Sequence, residues 1–304
     1  MFQFFKKKKP EKTPLKFIDL NESNGKLFND MGLDSLKYGN SEKAIFYFSK
    51  AIELQPEIQD YAINRAEVYW NYQKPNLALI DLETAISLGS EKALRLKKEY
   101  EQEIDIQSKS RNHFSKLLDE VGVDYLYHMT HIDNLKTILQ FGILSHNRAH
   151  KKGLLAKDIS DRTVNSRRIK IHNYVPLYFN PKNPMLYRRK NIQDELVILC
   201  VNRELLFSDK VVITDGNAAS TSTNFYKSIS DLRKIDWNII RSEYWSDFVD
   251  GKRIRCAETL IPENISPTNI EQIVCNNNDT RLLVSNLLDT SDIPISVNSK
   301  LFFS

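Results

Sequence analysis

The chain has no apolar run approaching the roughly 20 residues that a membrane-spanning helix needs. It also lacks a secretory leader pattern: Lys6-Lys7-Lys8-Lys9 is followed by Pro10-Glu11-Lys12-Thr13, where a leader would place a continuous apolar stretch. The Lys run reads as a solvated tail, and the protein is expected to be cytoplasmic. Cysteine is scarce. Cys200, Cys256 and Cys275 lie far apart in apolar runs, which argues against a disulfide framework or zinc spacing and suits buried thiols in a reducing compartment. There is no G-x-G-x-x-G turn of the kind that opens a dinucleotide-binding redox fold. His146 and His150 are four apart, but no third ligand has plausible spacing, so no metal is expected. The net charge of +4 is too mild to mark a partner by itself.

At 304 residues, 41% apolar and 27% charged, the chain is an ordinary globular sequence with room for two cores. Its first part repeats. Ala44 and Ala78, Ala51 and Ala85, Leu54 and Leu88, Tyr38 and Tyr72, and Gly32 and Ala66 are each separated by 34 residues. Small residues at a fixed period mark places where paired helices approach closely. The segment EKAIFYFSKAIELQP resembles the second helix of a tetratricopeptide (TPR) repeat. Two repeats plus the helix from Glu91 to Gln107 make a minimal stack, which is expected to lean on the rest of the chain or on a partner.

The second part opens with Tyr125-Leu126-Tyr127-His128-Met129-Thr130-His131, where apolar residues alternate as in a half-buried strand. Beyond Thr130 the spacing changes, and Ile132, Leu135, Ile138 and Leu139 fall on one helical face until Gly142, a residue suited to closing the helix at positive φ. The pattern predicts a strand, a polar corner and a helix. After Leu144 the chain turns basic through Lys170, a composition suited to gripping a pyrophosphate or a nucleic-acid backbone. Tyr174 to Phe179 predicts a strand entered through Pro176, Glu195 to Asn202 a central strand, and Lys210 to Ser220 a strand ending in a Gly/Asn corner. Residues 225–245 suggest two short helices, Ile254 to Ile261 and Ile270 to Cys275 two further strands, and Arg281 to Leu288 a helix. Within that apolar run Glu258 is conspicuous, because a carboxylate there is costly unless it is paired or faces outward.

Four of these motifs, in this order, resemble the DarT-type nucleic-acid ADP-ribosyltransferase toxin family: the YH-x-T-H opening, an arginine pair in the basic loop, the YVPLYF strand with its Pro-Met loop, and the A-E-T-L-I strand. The resemblance covers about Tyr125 to Cys275. It implies an ADP-ribosyltransferase split antiparallel β-sandwich with flanking helices; behind the N-terminal α-helical TPR-like repeats, this makes the expected fold class α+β. The expected divisions are a basic segment at 1–25, repeats at 26–107, a helical linker at 108–121 and the transferase domain at 122–304.

The resemblance further implies NAD as the ADP-ribose donor, with Glu258 as the catalytic carboxylate and Arg168, beside Arg167, as a catalytic and NAD-contacting guanidinium. His128, Met129, Thr130 and Thr137 would bind NAD, and Tyr174 and Tyr178 could either stack on nicotinamide or pack in the core. Lys252, Arg253 and Arg255 would contact substrate phosphates, with Phe225 or Trp245 as stacking candidates. The implied acceptor is a base in single-stranded nucleic acid, DNA thymine first. Guanine, RNA or a protein recruited by the repeats remains open. A toxin or phage-defence role, opposed by a macrodomain hydrolase as antitoxin and requiring no membrane, follows from the same likeness.

Overall fold

The computed structural model describes residues 24–154, 171–288 and 292–303. The chain divides into two compact units, with the division between Ser108 and Lys109.

In the first unit, helices α1 (Gly25–Lys37), α2 (Ser41–Leu54), α3 (Gln59–Asn71) and α4 (Pro75–Ser87) follow one another through short turns, and α5 (Glu91–Glu120) begins after Ser90. The 34-residue period marks the close approaches. Ala44, Ala51, Ala66, Ala78 and Ala85 are fully buried. A β-carbon on Gly32 would come within 2.5 Å of the Phe48 ring, so the two helices meet there only because glycine has no side chain. Asn24 and Asn40 cap α1 and α2 by accepting from the amides of Leu27 and Lys43. Inside the stack, Arg65 forms a two-pronged bond to Asp81 at 2.8 and 2.7 Å and a third to Ser49 at 2.8 Å. This satisfies a carboxylate that is itself buried. The sequence expected a repeat-module helix at 91–107 and a separate helical linker at 108–121; residues 91–120 form the one helix α5.

In the second unit, strands β1 (Tyr125–His131), β3 (Tyr174–Tyr178), β4 (Leu196–Asn202), β5 (Val212–Thr214), β6 (Phe225–Tyr226), β7 (Glu258–Pro262), β9 (Ile270–Cys275) and β10 (Ile295–Val297) form a sheet in the order β10-β9-β4-β1-β3-β7-β5-β6. Neighbours run antiparallel except β10 beside β9. The short strands β2 (Ile143–Leu144) and β8 (Asn264–Ile265) pair apart from it. The apolar run in β4 is explained by burial on both faces: Val197, Leu199 and Val201 enter one core, and Leu196, Ile198 and Cys200 the other. Burial also pushes the Cys200 thiol up to about 12 and the Cys275 thiol to about 11. These are inert apolar side chains.

One seam in this sheet is weak. β1 pairs with β4 along its whole length, from Tyr125↔Asn202 to His131↔Leu196. β3 pairs with β7 from Tyr174↔Pro262 to Tyr178↔Glu258. Between β1 and β3, among the described residues, the register pair is Tyr127↔Tyr178 alone. The sheet therefore consists of two halves joined at one rung, which is the split architecture the sequence implies.

After β1 a 3₁₀ turn (Ile132–Asn134) leads into α6 (Leu135–Phe141), closed by Gly142 at φ +85°. Glycine is obligatory there on two counts, since a β-carbon would also lie 2.1 Å from the Ile265 carbonyl oxygen. The basic stretch after Leu144, expected as a loop, starts with helix α7 (His146–Lys152). The strand expected at Ile254 to Ile261 begins at Glu258 instead, because Gly251–Ile254 forms a helical turn.

Candidate active site at the split of the sheet

Glu258 is the first residue of β7 and is wholly buried. Its Oε1 accepts the Ala218 amide at 2.8 Å, so the carboxylate is held by a main-chain donor from the loop after β5. The backbone beneath it is clamped by buried Thr214. That hydroxyl accepts the Glu258 amide at 3.1 Å and lies 2.9 and 2.8 Å from the carbonyl oxygens of Glu258 and Gly216. The loop is anchored in turn by Arg253, which bonds Asp215 at 2.9 Å, Thr223 at 3.2 Å and Asp250 at 2.5 Å. Next to this loop opens a cavity of about 390 Å³ lined by Tyr178, Met185, Arg188, Asn217, Lys252 and Arg253, among others.

On the other side of the seam, His128, Thr130 and Thr137 line a smaller pocket of about 100 Å³, floored by Ile138, Gly142 and Ile143. By register Tyr127, Tyr178 and Glu258 share a face of the sheet, and His128 is one residue out of step. Its ring nevertheless reaches β3: Nδ1 lies 3.4 Å from the Pro176 carbonyl oxygen, so the imidazole spans the split. A carbonyl can only accept, so Nδ1 carries the proton and Nε2 is left as an acceptor. Burial pushes the His128 pKa down to about 4, which keeps the ring neutral at physiological pH.

That shift has a consequence for stability. An unfolded histidine, with its ordinary value near 6.5, binds a proton before the folded one does, so stability is complete above pH 6.5 and is lost as pH falls toward 4. The loss from this group by pH 4.5 is about 2–3 kcal/mol. Urea unfolding at pH 7 and pH 4.5 should show His128→Asn losing less stability than wild type by that amount; equal losses would refute a neutral, half-buried ring.

The sequence model of a family described as "ssDNA thymidine ADP-ribosyltransferase, DarT" matches residues 127–303, more than half of the chain. The chain belongs to the DarT family. A DNA ADP-ribosyl transferase-DNA ADP-ribosyl glycohydrolase fusion protein of Thermosipho africanus is 32% identical over 192 residues, which are 59% of this chain and 49% of the fusion. A DNA ADP-ribosyl transferase of a Thermus species is 29% identical over 168 residues, 49% of this chain and 79% of that protein. Among solved structures, Thermosipho africanus DarTG in complex with ADP-ribose aligns with a TM-score of 0.55 at 30% identity, covering 59% of this chain and 51% of that one. Thermus sp. 2.9 DarT in complex with ADP-ribosylated ssDNA, at 24% identity and a TM-score of 0.55, shares the fold over 60% of this chain and 97% of its own. The chain thus spans about half the length of the Thermosipho protein.

Within this DarT unit, the residues singled out from sequence fall into three groups. His128, Thr130 and Thr137 meet in one pocket, where Asn134 adds a bond to the Thr130 hydroxyl at 3.1 Å. Tyr178 and Lys252 line the cavity beside the Glu258 loop, whereas Tyr174, at the far end of β3, lines a separate basic concavity with Arg148 and Lys151. Met129 turns away from the His128 face to pack with Tyr125 and Tyr127 against the second core. Arg167 and Arg168 lie outside the described residues, as does the Lys6–Lys9 run.

Two expectations need correction. Arg255 was assigned to phosphate, but it is buried, and its guanidinium bonds the carbonyls of Lys182 (2.8 Å), Ile240 (2.6 Å) and Ser242 (2.6 Å). Arg253 is spent on Asp215 and Asp250 and serves the loop that holds Glu258. Sequence reading also missed Thr214 and the Ala218 amide, since nothing in a lone Thr or Ala marks a clamp. The second histidine of the opening motif, His131, has its Nε2 2.9 Å from Glu195, and its Nδ1 accepts the Asp133 amide. It fixes the corner after β1.

Proposed function

We propose that this chain is an NAD-dependent mono-ADP-ribosyltransferase acting on a base of single-stranded nucleic acid, with thymine in DNA as the favoured acceptor. The observation that carries the reading is Glu258, a fully buried carboxylate held at the start of β7, opposite Tyr178 of β3 and so one strand from the split that the neutral His128 ring spans. The family match and the DNA ADP-ribosyl transferase activities of the Thermosipho and Thermus relatives support it.

The residues fit a bound NAD. His128 Nε2, kept as an acceptor, suits a ribose hydroxyl, and Thr130 and Thr137 supply further polar atoms in the same pocket. Bound NAD would supply an electrophilic ribose C1′ and nicotinamide as a neutral leaving group. Glu258 stabilises positive charge that develops on that ribose, and it does so with little reorganisation because its position is fixed beforehand by Ala218 and Thr214. With NAD bound, the acceptor ring nitrogen would bond to C1′ as the bond to nicotinamide breaks, and the ring proton would pass to solvent. A ring edge that pairs in a duplex is accessible only in a single strand. Arg168 is proposed as the guanidinium that steadies the pyrophosphate or the base carbonyl.

The Thermosipho relative joins its transferase to a glycohydrolase. We therefore infer that the modification is reversible, that this chain is a cytoplasmic toxin or defence effector, and that a macrodomain-type hydrolase opposes it. Mass spectrometry of oligonucleotides incubated with protein and NAD tests the activity. An ADP-ribose adduct on thymine of single-stranded DNA is expected, with none on the matching duplex. Label found on protein, with every oligonucleotide unchanged, would overturn the nucleic-acid reading.

A further inference from the structure

Beside the cavity at the Glu258 loop lies a second one of about 480 Å³, walled by Lys182, Tyr187, Tyr244, Trp245 and Phe303. It is unusually aromatic. Trp245 meets Tyr187 and Phe303 edge-on at 6.0 and 5.8 Å. The ammonium groups of Lys182 and Lys190 lie over the Phe303 and Tyr187 rings, each at 5.3 Å. Tyr187 is 48% exposed and Tyr244 is 60% exposed, and Tyr244 has no ring neighbour among the described residues. The acid in the wall, Glu243, is engaged by the Tyr244 hydroxyl, a bond that raises the tyrosine pKa.

Packing inside the fold accounts for Trp245 and Phe303 but not for Tyr244, whose ring stays in water. An exposed patch of this kind marks an interaction surface. Exposed Phe248 and Val249 follow Trp245 in the chain and precede Asp250 and Lys252, which line the first cavity. The two cavities also share the short helix Pro184–Tyr187: Pro184 and Met185 face the first and Tyr187 the second. Flat rings interleaved with lysines are the combination that binds a single strand, with bases stacking and phosphates meeting ammonium groups. An apolar peptide would leave the lysines unexplained.

We propose that this groove holds the bases of the nucleotides flanking the acceptor in a single-stranded substrate, with Tyr244 as an exposed stacking face. The proposal rests on the nucleic-acid reading above, and its test is a binding measurement that requires no catalysis. Fluorescence anisotropy compares the full chain with a three-nucleotide and a ten-nucleotide single-stranded DNA of the same central sequence. The longer strand is expected to bind more tightly. Tyr244→Ala should weaken its binding about tenfold, the loss of one stacked base, while Tyr244→Phe, which keeps the ring, should bind as wild type does. Equal affinity for both lengths, or a Tyr244→Ala variant indistinguishable from wild type on the longer strand, would overturn the groove. The mass-spectrometric assay reads the activity independently, so adduct formation with no effect at Tyr244 refutes the groove alone.

Discussion

Glu258→Gln should lower ADP-ribose transfer by about 10²–10³-fold, the usual effect of removing one preorganised electrostatic stabiliser. The substitution keeps shape and volume and removes the charge. Its Oε1 counterpart can still accept from the Ala218 amide, so the loop after β5 should stay in place. The fold is therefore expected to survive, and circular dichroism and the melting midpoint should match wild type closely. Nicotinamide release should fall in parallel with transfer, because the charge is needed to break the ribose bond whichever acceptor is present. Glu258→Ala is a harsher test, since it also strands the Ala218 donor. Transfer by Glu258→Gln within about threefold of wild type would mean that another group carries the charge, because even one displaced donor costs more.

The second large effect is on stability and concerns Arg255. Its guanidinium lies among carbonyls at the end of the helix Trp237–Arg241 and in the Lys182 turn, and burial lowers its pKa to about 10, still well above neutrality. Helix ends leave carbonyls without partners, and this side chain supplies donors for those of Ile239 and Ile240. Arg255→Met keeps much of the volume and deletes the donors. Two main-chain segments, the Lys182 turn and residues 239–242, then lose their tie, at a cost of about 3–5 kcal/mol. For a unit of this size that corresponds to a fall in melting temperature of roughly 10 °C. A shift of under about 3 °C would show that water replaces the guanidinium without penalty.

The two residues also show where sequence reading works and where it stops. The helical repeats were legible because close helix contacts demand small side chains at a fixed period, and Gly32, Ala44 and Ala78 stand at such contacts. The β4 run and the turn at Gly142 were legible for similar reasons: each is a local pattern with a single physical cause. Glu258 stood out as a charge in an apolar strand. Arg255 did not, because Lys-Arg-x-Arg looks like a solvated patch in one dimension. Only the helical turn at Gly251–Ile254 carries the last arginine inward while Lys252 stays outside. Thr214 and Ala218 were invisible for a different reason, since their roles depend on partners about 40 residues away in the chain.

Among the described residues, the solitary rung at Tyr127↔Tyr178 leaves most of the facing edges of β1 and β3 without pairing between them. A guest lodged between them can act as a missing piece of β-structure, tightening the whole unit while it stays. Its departure reopens the gap. Occupancy and mechanical stiffness are thus two descriptions of one equilibrium, and a compound that wedges the gap shut would rigidify this protein.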